Sequence, residues 1–170
     1  TLKFAFARSV NSIAVQLAQK VGWQKVIEYA HKLGVESELA NVPSICLGSS
    51  DVTLEEMVNA YCTFVNEGNL VKPILVTRIE DRNGKVIYEA VPQKKPVLSP
   101  ETAFLMSIML RSGLTEPGGT TQGLFEYDIF RFGTEFGGKT GTSSDYTDGW
   151  FVGVTPGLVA GCWVGNDDRS

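Results

Sequence analysis

The chain has 170 residues, with 15 Lys+Arg against 19 Asp+Glu, a formal charge of −4 and a pI near 5.0. That balance excludes a nucleic-acid partner, which needs a basic face to meet phosphate. Apolar residues at 43% and charged residues at 20% exclude disorder, and the length suits one domain or most of one.

Residues 1–8 carry no start signal. Ile13, Ala14, Leu17, Ala18 and Val21 recur at helical spacing and predict a helix over 11–21, with Gly22 as its stop. A second helix over 23–33 places Val26, Ile27, Ala30 and Leu33 on one face and ends at Gly34. Pro43 and Gly48 break residues 36–50, which read as irregular. Thr53 with Glu56 is a capping box opening a third helix, whose apolar stripe runs from Leu54 to Val65 and which Gly68 closes. Strand-like runs at 74–80 and 85–90 follow, joined through Asn83-Gly84, the favoured chemistry of a tight hairpin. Pro92 and Pro96 mark a linker, and Ser99-Pro100 starts a helix reaching about Arg111. Residues 113–123, with four glycines, read as a loop. The last third reads as strands over 128–132, 137–142, 150–155 and 158–164, the final two being apolar enough for a central hairpin covered on both faces. Helices before strands predict an α+β fold, an antiparallel sheet flanked by helices.

No apolar run of about 18 residues is present to span a bilayer, and no basic stretch leads into an apolar one as in a signal peptide. Cys46, Cys62 and Cys162 are odd in number and lack C-x-x-C spacing, so they suggest neither a disulfide framework nor zinc. His31 is the only histidine, which excludes a histidine-rich metal site; it reads as a solvated or satisfied helix residue. No G-x-S-x-G elbow accompanies it to make a Ser-His-Asp triad.

Two overlapping motifs could carry chemistry. From Gly133 to Thr140 the sequence GTEFGGKT satisfies G-x-x-x-x-G-K-[ST], the phosphate loop of nucleotidases. Such a loop needs a helix beginning at Lys-Thr to aim its amides at phosphate. The residues after Thr140, GTSSDYTDG, have no apolar periodicity and predict a strand, so a P-loop nucleotidase is the weakest reading. The second motif pairs Lys139-Thr140-Gly141 on a strand with Ser9-Val10-Asn11 before a helix. Alone, each tripeptide has an ordinary explanation: Ser9 and Asn11 as helix caps, Lys139 as a surface lysine at a strand edge.

Their surroundings extend the pattern. ARSVNSIAVQLAQKVG at 7–22, LGSSDVTLEEMVNAY at 47–61, FVNEG at 64–68, Lys72-Pro73, IEDRNGKVIY at 79–88 and VLSPETAFLMSIMLR at 97–111 precede Gly118-Gly119-Thr120. GKTGT at 138–142, DGWFVGVTP at 148–156 and WVGNDD at 163–168 follow it. In content, order and spacing this resembles the transpeptidase domain of class A penicillin-binding proteins, in which S-x-N and K-T-G are two of three site motifs. The resemblance covers nearly all of residues 1–170 and implies the C-terminal portion of that domain, of the serine β-lactamase/transpeptidase-like fold.

It implies further that Ser9 belongs to a proton relay, Asn11 holds the substrate backbone and Lys139 provides an electropositive field. Thr140, Gly141 and Thr142 would lie along the substrate, the threonines meeting its carboxylate. The partners implied are a D-Ala-D-Ala stem peptide and β-lactams, with no cofactor and no metal. The implied location is the outer face of the cytoplasmic membrane, in a longer protein that also carries a glycosyltransferase. One motif of the family is absent: no serine here is followed three residues later by lysine, so S-x-x-K, the nucleophile and its base, is missing. The expectation is therefore a chain lacking the N-terminal part of its domain, which must pair with that part and is inactive alone. A non-catalytic interaction module of the wall-building machinery is the alternative.

Overall fold

Thr53 and Glu56 do more than start a helix. In the computed structural model, which describes residues 1–130 and 133–166, both halves of the capping box form, and α4 runs Leu54–Val65. The Glu56 carboxylate also reaches the preceding loop. Its Oε1 accepts from the amides of Glu36 and Ser37 at 2.8 and 2.7 Å, and its Oε2 from the Ser37 hydroxyl at 2.6 Å. These bonds, the Ser37 hydroxyl first, hold the carboxyl down at about 2 against an ordinary 4.5. A depressed carboxyl stabilises the folded chain above pH 4.5, and that contribution is lost as the pH falls toward 2. Glu56→Gln should lower stability at pH 7 by about 1–2 kcal/mol, after discounting for solvent screening. It should also flatten the acid limb of a pH-resolved thermal melt; an acid limb identical to the parent's would show the clamp contributes nothing.

The remaining helices are α1 (Leu2–Ala7), α2 (Asn11–Val21), α3 (Trp23–Lys32) and α5 (Pro100–Thr115). Among the described residues, seven strands form three antiparallel sheets: β1 (Asn69–Val71) with β4 (Lys94–Pro96), β2 (Arg78–Glu80) with β3 (Val86–Glu89), and β5 (Gly137–Thr142), β6 (Asp148–Val154) and β7 (Val159–Gly165) in that order. In the third sheet Lys139 pairs with Val152, and Trp150 with Trp163. Helices α4 and α5 cover one face of it. Glycine sets how closely they approach. A Cβ on Gly161 would lie 2.5 Å from Val58 Cγ2 of α4, and one on Gly137 would lie 3.0 Å from backbone atoms of Leu110 and Arg111 in α5. The core between these layers holds Ala60, Ala103, Leu110, Leu114, Val152 and Val154.

Several expectations are corrected. Residues 1–8 are not featureless: Thr1 Oγ1 accepts from Phe4 N at 3.3 Å and caps α1, a helix too short to show periodicity. The strand expected over 74–80 shrinks to β2, because Ile74, Leu75 and Val76 are exposed, Leu75 at 97%. The linker marked by Pro92 and Pro96 contains β4, whose partner β1 was not anticipated, since a three-residue pairing across 25 residues leaves no local pattern. Pro96 fits there because β4, in a two-stranded sheet, is an edge strand. Helix α5 passes Arg111 and takes Gly113 into its last turn. Residues 128–130 form a 3-10 turn, Asp128–Phe130, where a strand was expected; residues 131 and 132 lie outside the described part. The final hairpin is not covered on both faces: β7 is an edge strand alternating part-buried and exposed positions, with Val164 69% exposed. His31 is satisfied as expected, its Nδ1 lying 2.7 Å from the Val35 carbonyl.

Candidate functional site

The turn between α1 and α2 presents Ser9. Helix α1 ends in a Schellman motif, the Ser9 amide donating to Phe6 O at 3.1 Å and the Val10 amide to Ala5 O at 3.0 Å. The motif demands a left-handed residue at Ser9, whose φ is +53°, where glycine is the usual choice. A serine held there against its backbone preference points to a need for its hydroxyl.

That hydroxyl meets Lys139. The lysine projects from β5 and its Nζ donates to Ser9 Oγ at 2.8 Å, closing a contact between residues 130 apart in sequence. It also donates to the Thr140 carbonyl at 2.8 Å and stands 5.9 Å from the centre of the Phe6 ring. Burial disfavours its ammonium and lowers its pKa. Since Ser9 Oγ accepts from the ammonium, its single proton remains free to be given elsewhere. A desolvated cation beside a hydroxyl can stabilise an anion and pass a proton through that hydroxyl.

Thr140 and Gly141 are part-buried and Thr142 is exposed, and all three lie on β5, which among the described residues has a strand, β6, on one side only. Thr140 Oγ1 donates to Thr120 Oγ1 at 2.9 Å. Asn11 is the exposed first residue of α2, two positions beyond Ser9, and no contact joins it to Lys139 among the described bonds. The structure thus brings Ser9, Lys139 and Thr140 together from distant segments and leaves Asn11 at the margin. Lys139 and Thr140 sit on a strand, with no helix beginning at them, so the amide cradle of a phosphate loop does not form.

Two neighbours were not singled out from sequence. Phe6 offered no signal, being one apolar residue in a six-residue helix. Thr120 closes the Gly118-Gly119-Thr120 run, and its amide donates to Ala7 O at 3.0 Å, tying the loop after α5 to the Ser9 turn. Asp148 has a structural position: Oδ1 accepts from Trp163 Nε1 at 2.9 Å, bracing β6 on β7. Trp150 faces Trp163 across the same pair of strands, ring centres 6.5 Å apart.

The family described as the penicillin binding protein transpeptidase domain matches residues 1–159. Penicillin-binding protein 1A of Aquifex aeolicus is 40% identical over 98% of this chain and 22% of its own length. Penicillin-Binding Protein 1A from Haemophilus influenzae superposes with a TM-score of 0.89 at 25% identity, over 99% of this chain and 30% of that one. The PonA1 protein from Mycobacterium tuberculosis in complex with penicillin V gives 0.83 at 23% identity, over 99% and 48%, a likeness of fold. The chain spans about a fifth of the length of the curated relatives it matches.

Proposed function

The chain belongs to the penicillin binding protein transpeptidase domain family, and from that premise we propose that it forms the carboxylate-binding and proton-relaying side of a D-alanyl-D-alanine transpeptidase site. The observation that carries the reading is the 2.8 Å bond from Lys139 to Ser9. It sets the two motifs against each other as acyl transfer requires.

In the reaction, a serine attacks the carbonyl carbon of the penultimate D-alanine, its proton leaves, and the amide C–N bond breaks. The departing nitrogen takes a proton and leaves as D-alanine. An amine from a second stem peptide then attacks the ester, gives up a proton, and returns the serine to its hydroxyl form; water in its place gives carboxypeptidase turnover. Ser9 is suited to carry the proton to the departing nitrogen, because Lys139 holds its oxygen and leaves its hydrogen free. Lys139, Thr140 and Thr142 offer a cation and two hydroxyls to the terminal carboxylate, and the open side of β5 accepts the extended peptide with Gly141 beneath it. Asn11 would reach the substrate backbone from the start of α2.

The attacking serine is not one of this chain's, since S-x-x-K does not occur in it. We assign it to another segment of the same domain, the partner that would also cover β7. The working location is the outer face of the cytoplasmic membrane, by kinship with its relatives; no described helix is long and apolar enough to cross one.

Fluorescent penicillin labelling tests the reading. The full-length protein carrying this chain should take a label that survives denaturation, and its failure to do so would favour a non-catalytic interaction module. The 170-residue chain alone should show no penicillin adduct by intact mass. An adduct on it would overturn the assignment of the nucleophile to another segment.

A further inference from the structure

The turn at residues 118–121 is fastened to three parts of the molecule. The Thr120 amide donates to Ala7 O of α1 at 3.0 Å, and the Thr121 amide to Gly113 O of α5 at 3.3 Å. Gln122 locks the turn on itself, its Oε1 accepting from Gly118 N at 3.2 Å and its Nε2 donating to Glu116 O at 2.9 Å. From this fixed base Thr120 Oγ1 accepts the hydroxyl of Thr140.

A hydroxyl has one proton. While Thr140 gives its proton to Thr120, a ligand approaching Thr140 Oγ1 meets only lone pairs, the wrong face for a carboxylate. Thr140 can donate forward once Thr120 donates from behind. Resting on the acyl-transfer reading, we propose that Thr120 is a positioning residue that selects anionic ligands. On entry of a carboxylate beside Thr140, both hydroxyls rotate, so that Thr120 donates to Thr140 and Thr140 to the carboxylate. No covalent bond changes and each oxygen keeps its own hydrogen. The rear bond polarises the front hydroxyl, and the carboxylate bond, being charge-assisted, gains most from that. A neutral ester gains little, so the chain of hydroxyls discriminates acid from ester.

The test is the rate of acylation of the full-length protein by benzylpenicillin and by its methyl ester, read as a ratio within each variant so that differences in folded fraction cancel. Thr120 is exposed, and valine is close to its shape and leaves the amide bond to Ala7 in place. Thr120→Val should cut the acid-over-ester preference about fivefold. Thr120→Ser should restore it, and Thr120→Val should add nothing in a Thr140→Val background. An unchanged ratio, an equal loss on acid and ester, or the same fivefold loss without the Thr140 hydroxyl would each overturn the inference alone, since labelling of the parent persists. A parent acylated by neither compound would remove the transpeptidase reading, and this inference with it.

Discussion

Lys139→Met in the full-length protein should lower acylation by penicillin about tenfold or more while leaving the thermal transition of the domain close to the parent's. The two readouts separate for a physical reason. The ammonium donates to Ser9 Oγ and to the Thr140 carbonyl, each at 2.8 Å, from a position where burial already disfavours its charge. Methionine keeps an unbranched apolar stem and removes a charge whose desolvation opposes folding. Ser9 is exposed, so water can replace the lost donor there. The chemistry has no such substitute, because water cannot supply a fixed positive charge to a carboxylate. The pH behaviour carries its own sign. A lysine whose pKa is lowered on folding makes stability rise as the pH climbs from its folded pKa toward 10.5, and the variant should lack that alkaline rise. In the parent, carboxylate recognition should fade as the pH rises, and at a lower pH than the one at which a free lysine loses its proton. Acylation unchanged by the substitution would take Lys139 out of the site.

How much of this was legible from residues alone depended on where the determinants lie. The helices over 11–21 and 23–33 and the one opened by Thr53 wrote themselves into the sequence, since caps, stops and stripes are local. The strands of the third sheet were legible in their apolar runs and glycines, but not the exposure of β7, which depends on what lies beyond its edge. The pairing of β1 with β4 left no trace, because a register of three residues is decided by their surroundings. At the site, the two tripeptides were visible as text, yet the left-handed φ of Ser9 was not, for serine is an unusual residue at the end of a Schellman motif. Thr120 was in view only as the end of the Gly118-Gly119-Thr120 run. Its bond to Thr140 comes from the folding of the loop after α5, which glycines left open to several paths.

That loop gives the second large effect. Gly119→Ala should destabilise the domain by about 3 kcal/mol, a fall of about 6–12 °C in its transition for a domain of this size. It should also lower acylation at least about tenfold. A Cβ at Gly119 would fall on the carbonyl oxygen of Gly113, 2.7 Å from its carbon and 3.1 Å from the Glu116 oxygen. All are backbone atoms at the end of α5, where no side chain can rotate away. Nor can that end retreat easily: Gly113 is itself buried, and its own Cβ position lies 2.6 Å from Thr121 Oγ1. The turn must move instead, and it carries the amide that holds Ala7 O and the hydroxyl that receives Thr140. Displacing it therefore loosens both sides of the site at once, the Ser9 turn through α1 and the strand through Thr140. Gly123→Ala provides the contrast, since a Cβ there meets nothing within 4 Å and its φ lies outside the left-handed region. It should stay within about 0.5 kcal/mol of the parent. If Gly119→Ala melted and acylated like Gly123→Ala, close packing of the turn would not be what aligns Ser9 with the strand, and the alignment would have to come from the Lys139 bond alone.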